Sequence, residues 1–145
     1  MPVIVGYLPT AVGEAALEHG IHEASLRGEK LIVVNASSGD TLAGDTSLAV
    51  GPALARVRSQ LENAGLDHEI RQPQRSRSVA EELLSIADDN VASMIVIGLR
   101  RRSPVGKFLF GSTAQEVLLN ADCPVVAVKP DRRGEKQQPR AGLVG

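Results

Sequence analysis

The segment of residues 98–113 contains the groups best suited to chemistry in this sequence. Its glycines allow close backbone approach to a ligand, and the start of the helix predicted to follow offers free N–H groups and the positive end of a dipole. Ser112 and Thr113 add hydroxyls, and Gly111 precedes them. Positive charge comes from four side chains of the same segment, namely Arg100, Arg101, Arg102 and Lys107. These features together predict a site for phosphate or another polyanion. A second interpretation stays open, in which Gly111 and Ser112 form only a turn and a helix cap while the arginines form a solvated surface run.

Other reactive side chains are not arranged for chemistry. His19 and His22 lie three residues apart on a predicted helix, but two ligands seldom suffice for a metal, and no third ligand completes the set. Cys123 is the one cysteine of the chain and precedes Pro124 at the start of an apolar strand, where we expect a small buried hydrophobe. We therefore predict no metal site and assign no catalytic residue.

The elements that position the 98–113 segment follow from hydrophobic periodicity. Short aliphatic runs alternate with longer segments of helical period, which predicts βαβ units and a mostly parallel sheet. Five strands are predicted, at residues 3–5, 31–34, 67–71, 94–97 and 125–128. The third is mixed in polarity, which favours the edge of the sheet. Ligands of open parallel sheets bind beyond the carboxyl ends of the strands, so the segment after the fourth strand is well placed for binding.

Four helices are predicted between these strands. Their buried stripes are Leu17, Ile21 and Ala24; Val50, Leu54, Val57, Leu61 and Ala64; Val79, Leu83, Ile86 and Asn90; and Ala114, Val117, Leu118 and Ala121. Ser78 and Glu81 have the spacing of a capping box at the start of the third helix.

Residues 37–47 are rich in Ser, Thr, Gly and Asp and predict an exposed loop. Residues 131–145 lack periodicity and predict a disordered tail after one domain at residues 1–130.

Length and composition exclude several classes of protein. The chain has 145 residues, 16 Lys and Arg against 17 Asp and Glu, and only one tyrosine and two phenylalanines. The near-neutral charge and the shortage of stacking aromatics argue against a nucleic-acid partner. The first residues lack the pattern of a signal peptide, and no apolar run approaches the roughly 20 residues of a membrane span. We therefore expect no membrane association and a cytoplasmic location, which the lone thiol also favours.

The spacing of residues 98–128 resembles that of the universal stress protein family. Gly98-x2-Arg101-x9-Gly111-Ser112, a helix, and then 123-CPVVAV-128 look like the region in which nucleotide-binding members carry G-x2-G-x9-G-[ST]. The resemblance implies an open five-stranded parallel α/β sheet of order 3-2-1-4-5 with helices on both faces. This is a Rossmann-like fold of the adenine nucleotide alpha hydrolase-like type.

The resemblance also implies a bound ATP or AMP, with or without magnesium, across the ends of strands one, two and four. Carried over by position, the nucleotide-binding residues are Tyr7, Leu8, Val34, Gly98, Arg100, Arg101, Gly111, Ser112 and Thr113. Two positions depart from the family pattern. Leu8 stands where an acidic residue is usual, and Arg101 replaces the second glycine of the motif. Arg101 either blocks the phosphate path or turns outward and pairs with phosphate, and we favour the second arrangement.

Three functions remain in competition. The leading one is a stress-response module that binds an adenine nucleotide; the others are a dimeric scaffold that binds none and a very slow ATPase. In each case the fifth strand would be an exposed apolar edge if it were alone. We therefore predict a homodimer in which Val125, Val126, Ala127 and Val128 pair antiparallel with their counterparts.

Overall fold

The structure, a computed structural model, describes residues 1–36, 44–72, 77–99 and 111–129. Strands and helices alternate along this part of the chain. The strands are β1 (Val3–Tyr7), β2 (Leu31–Asn35), β3 (His68–Arg71), β4 (Met94–Gly98) and β5 (Val125–Val128). The helices are α1 (Ala11–Arg27), α2 (Gly44–Asn63), α3 (Val79–Asn90) and α4 (Ser112–Asn120).

The five strands form one parallel sheet in the order β3-β2-β1-β4-β5. This confirms the predicted fold class, the strand order and the edge position of β3. Because β1 lies between β2 and β4, the direction in which the chain winds reverses at the β1–β4 pair. Parallel sheets of this kind bind ligands beyond the carboxyl ends of the strands at that reversal.

Side chains along β1 point alternately to the two faces of the sheet, and the core accordingly consists of two clusters, one on each face. Val3, Val5 and Tyr7 pack with α1 and α2, whereas Ile4 packs with α3 and α4. All four side chains are buried, as expected for a central strand covered by helices on both faces.

Local sequence signals set several of the helix ends. Thr10 caps α1 by accepting from the Gly13 N–H, and Gly28 ends that helix in the left-handed region. The predicted capping box at α3 is confirmed, because Ser78 and Glu81 each bond the other's backbone N–H.

Three sequence predictions about the elements were wrong. The loop predicted at residues 37–47 ends earlier than expected, because α2 begins at Gly44; residues 37–43 lie outside the described part. Leu118 is not in the buried stripe of α4 but 39% exposed, because α4 buries the side that carries Ala114 and Val117. Ala64 is exposed because it follows the end of α2. The predicted tail at residues 131–145 lies outside the described residues.

Candidate functional site

A cavity of about 300 Å³ lies at the carboxyl ends of β1 and β4, where the winding of the sheet reverses. This volume is at the lower end of the range for small-ligand sites, about 300–1,000 Å³. Its walls come from the strand ends, from one face of α3 and from the first turn of α4. The described lining residues are Gly6, Leu8, Ala36, Val79, Leu83, Ile97, Gly98, Leu99, Gly111, Ser112, Thr113 and Ala114.

The first turn of α4 supplies the polar end of this cavity. The N-cap residue of α4 is Gly111, so no side chain caps the helix, in contrast to Thr10 at α1 and Ser78 at α3. The first N–H groups of a helix have no partner within the helix itself. The exposed hydroxyls of Ser112 and Thr113 lie at the same turn, and the turn holds no acidic residue. The arrangement therefore offers several hydrogen-bond donors and a positive dipole end to an anion in the cavity.

The two glycines predicted to approach a ligand have different surroundings. A β-carbon at Gly98 would lie 2.2 Å from Val12 Cγ1, so glycine is required there by the packing of α1 on β4. A β-carbon at Gly111 would meet no described atom within 4 Å. Of these two glycines, only Gly111 therefore leaves open space where a β-carbon would stand.

The remainder of the described lining is apolar. Leu8 contributes to the cavity from the end of β1, at the position where the resemblance led us to expect an acid. Its carbonyl oxygen already accepts from the Thr10 N–H at 2.8 Å. Nearby, the Ala36 N–H donates to the Tyr7 carbonyl at 2.7 Å and the Leu99 N–H donates to the Val128 carbonyl at 2.8 Å. Several backbone groups at the strand ends are thus already engaged within the chain.

The structure brings together five of the nine predicted binding residues. Those that line the cavity are Leu8, Gly98, Gly111, Ser112 and Thr113. Val34 is fully buried in the core and is not a lining residue. Arg100 and Arg101 lie outside the described residues. Sequence reasoning missed the contributions of Gly6, Ala36, Val79, Leu83, Ile97, Leu99 and Ala114. Most of these residues belong to a buried helix stripe or an apolar strand. Ordinary core residues show the same pattern, so the sequence does not mark them as ligand contacts.

Tyr7 lies on the opposite face of the sheet from the cavity. Its side chain is 1% exposed, packs with Val3 and Val5, and donates its hydroxyl hydrogen bond to the Glu14 carboxylate on α1. Burial, followed by the hydrogen bond to Glu14 and its negative charge, raises the pKa of the Tyr7 hydroxyl. The side chain of Tyr7 therefore cannot contact a ligand in this cavity in the present arrangement, because alternate residues of a strand face opposite sides of the sheet.

The remaining candidates of the sequence are not part of the cavity. Within residues 1–36, 44–72, 77–99 and 111–129, no group of three or more His, Cys, Asp and Glu side chains could hold a metal ion. Cys123 is half-buried, and burial is the main cause that raises the pKa of its thiol. Among the same residues, no helix combines the length and the apolar character that crossing a bilayer requires.

An open parallel sheet of order β3-β2-β1-β4-β5 with helices on both faces defines a doubly wound α/β protein. The chain belongs to the universal stress protein family, whose pattern it matches over residues 1–129. It is 44% identical over 128 residues to a universal stress protein of Mycolicibacterium smegmatis, an alignment that covers 88% of this chain and 97% of the relative.

Solved structures show the same relationship. A universal stress protein of Archaeoglobus fulgidus is similar at a TM-score of 0.74 and 32% identity, over 89% of this chain and 98% of that chain. A structure of the universal stress protein from the same organism in complex with dAMP is similar at a TM-score of 0.69 and 27% identity, over the same shares of the two chains.

Proposed function

We propose that this protein is a stress-response module that binds an adenine nucleotide, ATP or AMP, in the cavity between β1 and β4. The observation that carries the proposal is the uncapped first turn of α4, which opens into a cavity of ligand size. A phosphate group would accept from the N–H groups that follow Gly111 and from the hydroxyls of Ser112 and Thr113. The base and sugar would lie against the apolar wall.

The likeness to the A. fulgidus protein in complex with dAMP supports this proposal, because the two folds agree over 89% of this chain. Arg100 and Arg101 remain proposed phosphate ligands on the strength of their sequence positions between β4 and α4. Magnesium, where it accompanies ATP, would be held by the phosphates, by water and by the hydroxyls of Ser112 and Thr113, since the described lining of the cavity carries no carboxylate. We also propose a cytoplasmic location.

The direct test is calorimetric titration of the full chain with AMP and with ATP. Ser112→Asp is the sharpest variant, since a carboxylate in the first turn favours the helix dipole but repels phosphate. For Ser112→Asp we expect an unchanged or higher Tm. Its affinity for the nucleotide should be at least about tenfold weaker, because the loss of one charge-assisted hydrogen bond has about this effect. Ser112→Asn, of similar size and without charge, is the matched control. Equal affinity in all three proteins, or no heat of binding to the natural protein, would refute the proposal.

A dimeric scaffold without nucleotide is the second candidate function, and Leu8 favours it because a leucine removes the acidic partner of the ligand. Protein can be purified, denatured and examined for released adenine nucleotide by mass spectrometry. Co-purified nucleotide supports the binding module, and its absence together with silent calorimetry supports the scaffold. Slow release of inorganic phosphate from ATP over hours would instead support a very slow ATPase.

In either function we propose that the chain forms a homodimer through β5. In the sheet this strand pairs with β4 on one side, and the carbonyls of Pro124 and Val128 accept from the N–H groups of Ile95 and Leu99. Every second residue of a strand faces the same neighbour, so Val125 and Ala127 direct their backbone N–H groups away from β4. The helix that precedes β5 in the chain, α4, carries the apolar residue Leu119, which is 75% exposed.

Sedimentation at micromolar concentration tests the dimer. Ala127→Pro removes an outward N–H without removing a bond to β4, so we expect a folded monomer from this variant. Ala127→Val, which keeps the N–H, is the control and should remain dimeric. A natural protein that sediments as a monomer would contradict the proposal.

A further inference from the structure

The two edge strands of the sheet differ in charge. At one edge, β3 carries Glu69 and Arg71, which are hydrogen-bonded to each other, and Lys30 approaches Glu69 at 3.1 Å. At the other edge, β5 has the sequence VVAV, without a charged side chain, and all of its residues are only partly buried. Charged side chains on an edge strand hinder the pairing of a further strand. Of the two edges, β5 is therefore the one suited to an added strand.

The backbone of β5 limits how such a strand can pair. The carbonyls of Pro124 and Val128 accept hydrogen bonds on the β4 side. Since residues of a strand alternate, Val126 also turns its backbone groups toward β4, whereas Val125 and Ala127 present both N–H and C=O to the opposite side. A strand added at this edge must therefore bond to Val125 and Ala127.

A second copy of β5 can satisfy both of these residues in one antiparallel register. Two opposed residues exchange both of their N–H···O bonds only when each directs its backbone groups at the other. If Val125 lies opposite the partner's Ala127, two-fold symmetry also sets Ala127 opposite the partner's Val125, and all of these groups are paired. Pairing Val125 or Ala127 with its own counterpart would form one such pair within the strand instead of two. A shift by one residue would oppose Val125 to Val126, whose groups point at β4.

We infer that the homodimer places Val126 on its two-fold axis, with Val125 opposite the partner's Ala127. The inference rests on the proposed homodimer and adds the register of the interface to it. Val126 then faces its own counterpart as a non-hydrogen-bonded pair, with Cα atoms about 4.5 Å apart. Its side chain packs against one core cluster, and those of Val125 and Ala127 pack against the other. The pairing therefore extends both apolar faces of the sheet into the partner and sets valine beside the smaller alanine.

Single cysteines test the register. Cys123→Ala removes the one cysteine of the chain, and Val125→Cys, Val126→Cys and Ala127→Cys are then made separately in that background. After oxidation with oxidised glutathione, we expect Val126→Cys to double in mass on a non-reducing gel, because a Cα separation of about 4.5 Å is within disulfide range.

The variants at 125 and 127 are the matched controls. In the inferred register each lies diagonally from its own counterpart, about 7–8 Å away, which a disulfide does not bridge without backbone movement. We therefore expect these two proteins to remain single chains on the gel. Each would instead become the cross-linking position in one of the shifted registers. All three substitutions are small, and each variant should sediment as a dimer under reducing conditions.

The outcomes separate the register from the homodimer itself. Cross-linking at 125 or 127 in place of 126 would overturn the register and leave the β5 homodimer intact. Equal cross-linking at the three positions, or a dimer that cross-links at none of them, would also overturn it. A natural protein that sediments as a monomer would remove the homodimer, and the register would fall with it. Nucleotide binding is measured separately by calorimetry, and none of these outcomes bears on it.

Discussion

Gly98 at the end of β4 lies in direct contact with Val12 in the first turn of α1. A β-carbon at residue 98 would approach Val12 Cγ1 to 2.2 Å and the Val12 carbonyl oxygen to 3.0 Å. The contact holds the start of α1 against the strand end that borders the cavity. Glycine at this position is therefore needed for the packing of the fold, whether or not a ligand is bound.

Gly98→Ala should lower the free energy of unfolding by about 1–3 kcal/mol, the usual cost of forcing an extra methyl group into a filled site. Urea denaturation followed by circular dichroism measures this change. Gly111→Ala is the matched control, since a β-carbon there meets no described atom within 4 Å, and its cost should stay below about 1 kcal/mol. Equal losses in the two variants would contradict the packing role of Gly98.

Val91→Asn should stabilise the protein by about 1 kcal/mol, because residue 91 adopts a left-handed conformation that a β-branched side chain disfavours. Val91 follows α3 with φ 51° and ψ 60°, and its side chain is 65% exposed. Replacement therefore relieves strain while giving up little buried surface. Thermal unfolding of Val91→Asn and of Val91→Ala, which retains most of the strain, would show the difference. No gain in Tm for Val91→Asn would refute the prediction.

Tyr7→Phe should lower stability by about 1.5–3 kcal/mol, since the Glu14 carboxylate loses its buried donor. The same variant should leave nucleotide affinity within about twofold of the natural value, because Tyr7 lies on the face of the sheet opposite the cavity. Thr113→Ala is the reciprocal control, with a change in affinity and little change in stability. Calorimetry and chemical denaturation of both variants give the two readouts, and a large loss of affinity in Tyr7→Phe would place Tyr7 in the site after all.

Glu69→Gln should reduce stability at neutral pH and not at acidic pH. The hydrogen bond from Arg71, followed by that from Lys30 at 3.1 Å, holds the pKa of Glu69 below its ordinary value of 4.5. A lowered folded pKa means that the stabilisation is complete above 4.5 and is lost as the pH falls through the lower, folded value.

The Glu69 effect should not exceed about 1 kcal/mol, because the ion pairs are partly exposed. Thermal unfolding of Glu69→Gln and the natural protein at pH 7 and at a pH below the folded pKa measures it. Glu62→Gln, at an exposed position of α2, controls for the simple loss of a negative charge. A difference in Tm that persists at the lower pH would show that the ion pairs are not its cause.

Much of the fold could be predicted from the sequence. The aliphatic runs and the helical stripes of Leu17 and Leu83 marked buried faces, since burial between two layers leaves a periodic pattern in the chain itself. The capping box at Ser78 and the left-handed glycine at residue 28 mark helix ends through local chemistry. Part of the cavity was also foreseen, because a glycine followed by two hydroxyl residues at a predicted helix start indicated an anion-binding terminus.

What the sequence by itself determined, then, is the succession of strands and helices and the polar terminus of α4, because these depend on neighbours in the chain. The tertiary structure decided on which face each residue lies: it placed Tyr7 away from the cavity, left Leu118 exposed, and set Val12 against Gly98. Those outcomes depend on how distant segments pack against one another, and the periodic pattern of a single segment carries no record of its partner.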